Sequence, residues 1–235
     1  MKAAPVLPQP PVSYLLLDLD GTLLDAHFDD YFWEDFLPNL IAKRDGMTPD
    51  AAREKLLTLY NEARCSLRWA DVEYWSERLA VDIVALKRRQ AHLIRPHDGA
   101  LDFLARIENL GANRVLVTDA HPKTLALKLE KVDIGRFFDT IIRAEDLGAA
   151  KTEALFWQRL AAMGYDLGRS FLIDDNLAVL RQARRQGVGH CAHVTRPNSR
   201  RRAQATSEFF AVASVADLSS PTSMPFLRVS PKERP

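Results

Sequence analysis

The sequence predicts a doubly wound α/β fold with an inserted all-helical segment, and three observations carry that prediction. Short apolar runs recur at Tyr14–Leu17, Arg114–Val117, Thr140–Ile142 and Phe171–Ile173, each followed by a polar turn, as buried parallel strands require. Helical patterns alternate with the later runs: Leu101 to Leu110, Leu125 to Val132, Leu155 to Met163 and Leu177 to Ala183. From Ala26 to Pro96 the alternation stops, and Phe32, Phe36, Leu37, Leu40 and Ile41 fall on one helix face.

Taken in order, residues 1–13 begin MKAAPVLPQPPV, which four prolines break up, and they read as a flexible arm rather than a secretory leader. Residues 14–25 open an α/β core that resumes at 97 and runs to 218. Between them, 26–96 is expected to form a helical cap of at least three helices. Within it Gly46 punctuates one helix, and Thr48-Pro49 starts the next with proline in the first turn. A fifth strand is expected near Val188–Val194, after which the pattern fades. Arg200, Arg201 and Arg202 form a short basic cluster that reads as a solvated run, and 219–235 as a flexible tail.

Composition excludes several classes. At 235 residues, 47% hydrophobic and 27% charged, the chain matches an ordinary globular protein with a sizeable core. Lys+Arg 32 against Asp+Glu 31 leaves a net charge of +1, without the basic excess that favours nucleic-acid polymers. Cys65 and Cys191 lie far apart without metal-ligand spacing, so a reduced, cytoplasmic chain is expected. No run approaches the roughly 20 apolar residues that span a bilayer, so no membrane partner is expected.

The chemistry gathers at strand ends. Asp18-Leu19-Asp20-Gly21-Thr22 sets two carboxylates at the carboxyl end of the first strand, where open α/β sheets bind ligands. Ionised acids leaving an apolar run are costly without a cation, and a bound Mg²⁺ would offset that cost. Gly21 permits a tight turn, and the Thr22 hydroxyl is expected to tie it down. Val117-Thr118-Asp119-Ala120 ends the second strand, with a hydroxyl and backbone N–H groups able to hold a phosphate oxygen. Phe171-Leu172-Ile173-Asp174-Asp175-Asn176 supplies a second pair of acids, and Lys151 offers an ammonium to offset them.

In this order, DxDGT, Thr, Lys and DD from 18 to 175, the chain resembles the haloacid dehalogenase (HAD) superfamily, whose core is a Rossmann-like parallel sheet. The resemblance implies that Asp18 attacks phosphorus to form an aspartyl-phosphate and that Asp20 protonates the leaving group and then activates water. It also implies Mg²⁺ held by the Asp18 side chain, the Asp20 backbone carbonyl and the Asp174 side chain. Asp175 is then a supporting candidate, and Thr118, Asp119 and Lys151 contact the substrate phosphate. An acid at Asp20 points to phosphate esters rather than carbon–halogen bonds.

The cap speaks to substrate. Nine of the 20 aromatics fall within Ala26–Pro96: Phe28, Tyr31, Phe32, Trp33, Phe36, Tyr60, Trp69, Tyr74 and Trp75. They read first as the cap's own core, and one or two of them as a stacking surface for a planar base. Phe28 to Trp33, Leu67-Arg68-Trp69, Tyr74 to Glu77, and His121-Pro122 with Leu125 to Glu130 resemble bacterial GMP/IMP nucleotidases. That resemblance implies a 5′-nucleotidase for IMP or GMP. Arg64, Arg68 and His121 read equally as substrate contacts and as surface charge or helix capping. The alternatives are a phosphatase of phosphosugars or phosphoglycolate-like metabolites, a phosphomutase, and a catalytically silent phosphate-binding protein. Asp119 stands where that resemblance leads one to expect Asn, an extra acid that must face away from phosphate or be neutralised.

Overall fold

A computed structural model describes residues 12–64, 66–204 and 208–219. Most of the expected arm and tail, and Cys65, lie outside the described residues. The chain engages the core slightly before residue 14: Val12 is buried, Ser13 donates its N–H to the Arg169 carbonyl at 2.8 Å, and its own carbonyl accepts from Asn113 at 2.8 Å.

Six parallel strands form one sheet in the order β3-β2-β1-β4-β5-β6: β1 (Tyr14–Leu17), β2 (Asn113–Thr118), β3 (Thr140–Arg143), β4 (Ser170–Asp174), β5 (His190–Val194) and β6 (Phe210–Val212). β6 corrects the expectation that the pattern fades beyond Thr195. Three residues long, with Phe210 exposed, it is too short to show a period.

All the residues of β1 are apolar because both faces of the strand are covered. Leu15 and Leu17 face α6 (Ala100–Ile107) and α7 (Pro122–Lys131) through Phe103, Leu104, Ile107 and Leu125. Leu16 faces the opposite layer, α8 (Ala154–Ala162) and α9 (Leu177–Arg185), through Phe156, Trp157, Leu160 and Leu180. Each fully buried leucine contributes about 1.5–3 kcal/mol, so these two layers fix the strand register. That register sets Leu17 opposite both Leu116 and Ile173, which aligns the ends of β1, β2 and β4.

Between β1 and α6 run α1 (His27–Tyr31), a π-helical turn (Phe32–Phe36), α2 (Leu37–Asp45), α3 (Pro49–Ala63), α4 (Val72–Leu79) and α5 (Ile83–Arg89). They enclose a separate apolar cluster around Phe32, Leu37, Ile41, Leu56, Tyr60, Trp75 and Ile83. Their ends obey local chemistry: Gly46 closes α2 at φ 67°, and Thr48 Oγ1 accepts from Ala51 N–H at 3.3 Å to start α3. No described helix is long and apolar enough to cross a membrane.

Two chain crossings join this helical layer to the sheet side by side. Asp25 N–H donates to the Arg95 carbonyl at 3.0 Å, and His97 N–H to the Leu23 carbonyl at 2.8 Å. The segment after β5 fastens them. Ala26 N–H donates to the Pro197 carbonyl at 3.0 Å, Asn198 Nδ2 to Asp30 Oδ2 at 2.6 Å, and the Ser199 hydroxyl to Asp25. Arg201 pairs with Glu34 and, at 3.3 Å, with Asp30, so one member of the basic cluster is a fastening within the chain.

Candidate active site

The strand order reverses between β1 and β4, the chain passing from β3 to β4 to start the other half of the sheet, and Asp18 and Asp174 stand at that switch point, where α/β sheets open a crevice. Asp18 N–H continues the ladder onto the Ile173 carbonyl at 3.0 Å. The turn after it is held by backbone bonds: Gly21 N–H to the Leu24 carbonyl at 2.8 Å, and Leu23 and Leu24 N–H to the Leu19 carbonyl at 2.9 and 2.8 Å. Thr22 does not tie this turn down as expected. Its hydroxyl is buried without a hydrogen-bond partner among the described residues, and the backbone bonds alone hold the turn.

Lys151 is not a surface lysine. It is 3% exposed, and its ammonium reaches Asp18 Oδ1 at 2.5 Å, Asp174 Oδ2 at 2.8 Å and the Val117 carbonyl at 3.3 Å. Trp157 Nε1 donates to the Lys151 carbonyl at 2.7 Å, and Lys151 N–H donates to Asp119 Oδ1 at 2.9 Å. Asp119 therefore spends one carboxylate oxygen on the loop that carries Lys151, which gives the unexpected acid a positioning task. Thr118 Oγ1 accepts from Ala120 N–H at 3.0 Å and lines the same cavity. The helix start after it is capped by His121, whose Nδ1 accepts from Lys123 N–H at 3.3 Å.

Oxygen atoms of Asp18, Asp174 and Asp175 lie within 4.8 Å of one another. Burial pushes the Asp18 carboxyl up to about 6 although Lys151 pulls it down, and burial raises Asp174 and, strongly, Asp175. Burial also disfavours the Lys151 ammonium, but Asp174 and Asp18 outweigh it and hold its pKa well above the usual value. Three carboxylates facing one ammonium leave an excess of negative charge in a buried site, and an all-oxygen donor set of this kind suits a hard dication.

Asp20 is held from a direction that sequence reasoning missed. Its Oδ1 lies 2.6 Å from the ammonium of Lys128, which is 2% exposed and also reaches Asp29 Oδ2 at 2.7 Å. Asp29 Oδ1 in turn accepts from Lys87 at 2.5 Å. Burial pushes Asp20 up to about 6 against the pull of Lys128. The signal available in the sequence was only two lysines at apolar-face positions of their helices.

These groups open onto one cavity of about 460 Å³, lined on the sheet side by Asp18, Asp20, Thr118, Lys151 and Asp174. Its helical side carries Trp33, Tyr60, Arg64 and Trp69, with His121 at the α7 start. Trp33 and Tyr60 cross edge to face at 5.7 Å, as do Tyr60 and Trp69 at 5.9 Å, and Trp69 is 42% exposed. Phe28, Phe32 and Trp75 are instead buried as core. Arg68 lies over the Tyr74 ring at 5.7 Å.

A Rossmann-like sheet with carboxylates at its switch point and a helical layer above defines a class of enzyme, and the sequence falls within it. Residues 12–187 match the family described as haloacid dehalogenase-like hydrolases, and the chain belongs to that family. It is therefore a hydrolase. It is 35% identical over 189 residues to the GMP/IMP nucleotidase of Escherichia coli strain K12, covering 80% of this chain and 85% of that protein. A glyceraldehyde 3-phosphate phosphatase of Pyrococcus abyssi is 24% identical over 178 residues, 71% of this chain and 74% of that protein. Among solved structures, a HAD phosphatase from Thermococcus onnurineus superposes with TM-score 0.73 at 21% identity, covering 93% of this chain and 99% of that one. An L-2-haloacid dehalogenase from Xanthobacter autotrophicus shares the fold with TM-score 0.59 at 16% identity, covering 90% and 98%.

Proposed function

We propose that the protein is a Mg²⁺-dependent phosphatase that hydrolyses purine nucleoside monophosphates of the GMP/IMP type. The observation that carries this reading is the 35% identity with the E. coli GMP/IMP nucleotidase across 80% of the chain. A small phosphorylated metabolite as substrate fits the absence of a basic excess, and a cytoplasmic location fits two cysteines far apart in the sequence.

The mechanism follows from the side chains. Lys151 holds Asp18 Oδ1 at 2.5 Å and so orients the carboxylate whose other oxygen attacks phosphorus. The bond from phosphorus to the leaving oxygen breaks as Asp20 gives that oxygen its proton. Asp20, now ionised, takes a proton from water, the water oxygen attacks phosphorus, and the aspartyl-phosphate bond opens to release phosphate and free Asp18. Asp18, Asp174 and the Asp20 carbonyl would hold Mg²⁺, with Asp175 in support. When bound, the ion neutralises charge on the phosphoryl group. Thr118 and Lys151 offer donors to the phosphate oxygens, and Asp119 serves by fixing the Lys151 loop. On the helical side, Trp33, Tyr60 and Trp69 present aromatic surface to a purine, and residues 26–96 act as a cap over the site.

The test is phosphate release across nucleotides, sugar phosphates and phosphoglycolate, with Mg²⁺ and with EDTA. IMP and GMP are expected among the best substrates, with activity lost in EDTA; IMP and GMP among the poorest would overturn the nucleotidase reading. The match to the P. abyssi phosphatase supports a second reading, a phosphatase of phosphosugars, which the same panel separates.

A further inference from the structure

We propose that Lys128 is a positioning residue for Asp20, and that Asp29, pinned in turn by Lys87, keeps Lys128 in that role. The inference rests on the reading of Asp20 as the acid and base of hydrolysis. Four charged side chains form one chain, its lysines buried and its acids half-buried: Asp20 Oδ1 to Lys128 at 2.6 Å, Lys128 to Asp29 Oδ2 at 2.7 Å, and Asp29 Oδ1 to Lys87 at 2.5 Å. Both lysines are 2% exposed, and a buried ammonium is tolerated only when it is well paired. Their faces toward the apolar side are aromatic: Lys87 lies 4.9 Å from the Phe28 ring, 4.8 Å from Phe32 and 5.2 Å from Trp33, and Lys128 lies 5.8 Å from Phe28.

Geometry gives this set a purpose. Asp20 sits on a loop, where a free carboxylate would sample several rotamers, and the ammonium of α7 takes one of its oxygens and leaves Oδ2 for the leaving group or water. Asp29 on α1 and Lys87 on α5 then stop Lys128 from swinging away. The orientation of the acid thereby depends on helices of the segment 26–96 resting against α7.

The experiment compares Lys128→Met, Asp29→Asn and Asp20→Asn with wild type, using GMP and p-nitrophenyl phosphate in the presence of Mg²⁺. For Lys128→Met, kcat on GMP is expected to fall about 100-fold, the size of a lost general acid, while KM changes less than about threefold. With p-nitrophenyl phosphate, whose leaving group needs no proton, the first turnover stays fast. A burst of one nitrophenolate per folded site then precedes a slow phase limited by water attack. The burst counts only folded enzyme, so loss of stability does not mimic the result. Asp29→Asn is expected to show the same pattern with about a tenfold loss. A raised KM with unchanged kcat would overturn the proposal and make Lys128 a substrate contact. So would equal losses on both substrates without a burst. An inactive Asp20→Asn beside a Lys128→Met of wild-type kcat sinks the brace alone; a fully active Asp20→Asn sinks the acid–base reading and the brace with it.

Discussion

A Cβ added to Gly21 would stand 2.7 Å from Asp175 Oδ2, so the glycine of the first motif is shaped against the second acid of the last one. The same residue has φ +84°, a conformation that costs an L-amino acid roughly 1–2 kcal/mol. Gly21→Ala is therefore expected to lower stability by at least that amount, since the new methyl also meets Pro197 Cβ at 2.9 Å, and to push Asp175 aside. The measurement is a melting curve together with Mg²⁺ titration by calorimetry. An alanine variant with unchanged Mg²⁺ affinity would show that Asp175 has no part in the metal site.

Asp18→Asn removes the nucleophile of the proposed reaction while keeping its size and a hydrogen-bond acceptor beside Lys151. Turnover is expected to vanish with the far-ultraviolet circular dichroism unchanged. Normal phosphate release from the folded variant is incompatible with an aspartyl-phosphate on Asp18.

Asp29 offers a test by pH. Burial alone would raise its carboxyl, but Lys128 and Lys87 overcome that effect and hold its pKa well below the usual range. Because the folded value is depressed, the unfolded chain binds more protons between the two values, and stability rises with pH through that interval. The contribution is complete above an unfolded pKa of about 3.9 and is lost as pH falls below it. Asp29→Asn should cost about 3 kcal/mol at pH 7 by leaving ammonium charge uncompensated, and less at pH 3. Urea denaturation at the two pH values reads the difference; an equal cost at both would mean that the pairs contribute nothing.

Trp69 is the exposed aromatic of the cavity wall. Trp69→Ala is expected to raise KM for GMP about tenfold, in line with roughly 1–3 kcal/mol per stacked base, and to leave p-nitrophenyl phosphate nearly unchanged. Equal effects on the two substrates would assign Trp69 to cap folding through its edge contact with Tyr60.

Much of the site was legible because its chemistry is written next to its structure. Asp18, Thr118 and Asp174 each close an apolar run, and a strand end is a local pattern. Lys151 was legible as a charge partner, though its burial was not. Lys128 and Lys87 left only the faint mark of lysines on apolar helix faces, for a physical reason: a lysine on a helix reads as solvated unless its partners, 108 and 58 residues away for Lys128–Asp20 and Lys87–Asp29, are known. Strand β6 escaped because three residues are too few for a period, and Arg201 because a basic run carries no mark of which acids it will meet. The fold class needed only the alternation of elements, whereas these pairings needed the tertiary arrangement.

The fastening after β5 joins the start of the helical layer to the segment that leaves the sheet. Asp25, Ala26 and Asp30 are tied to Pro197, Asn198 and Ser199, and Glu34 to Arg201. The start of the helical layer is thus moored at one edge, like a door to its jamb. The mooring lies beyond residue 187, where the family match ends. A chain cut there would keep Asp18, Asp20, Lys151 and Asp174 and lose the post on which the door hangs.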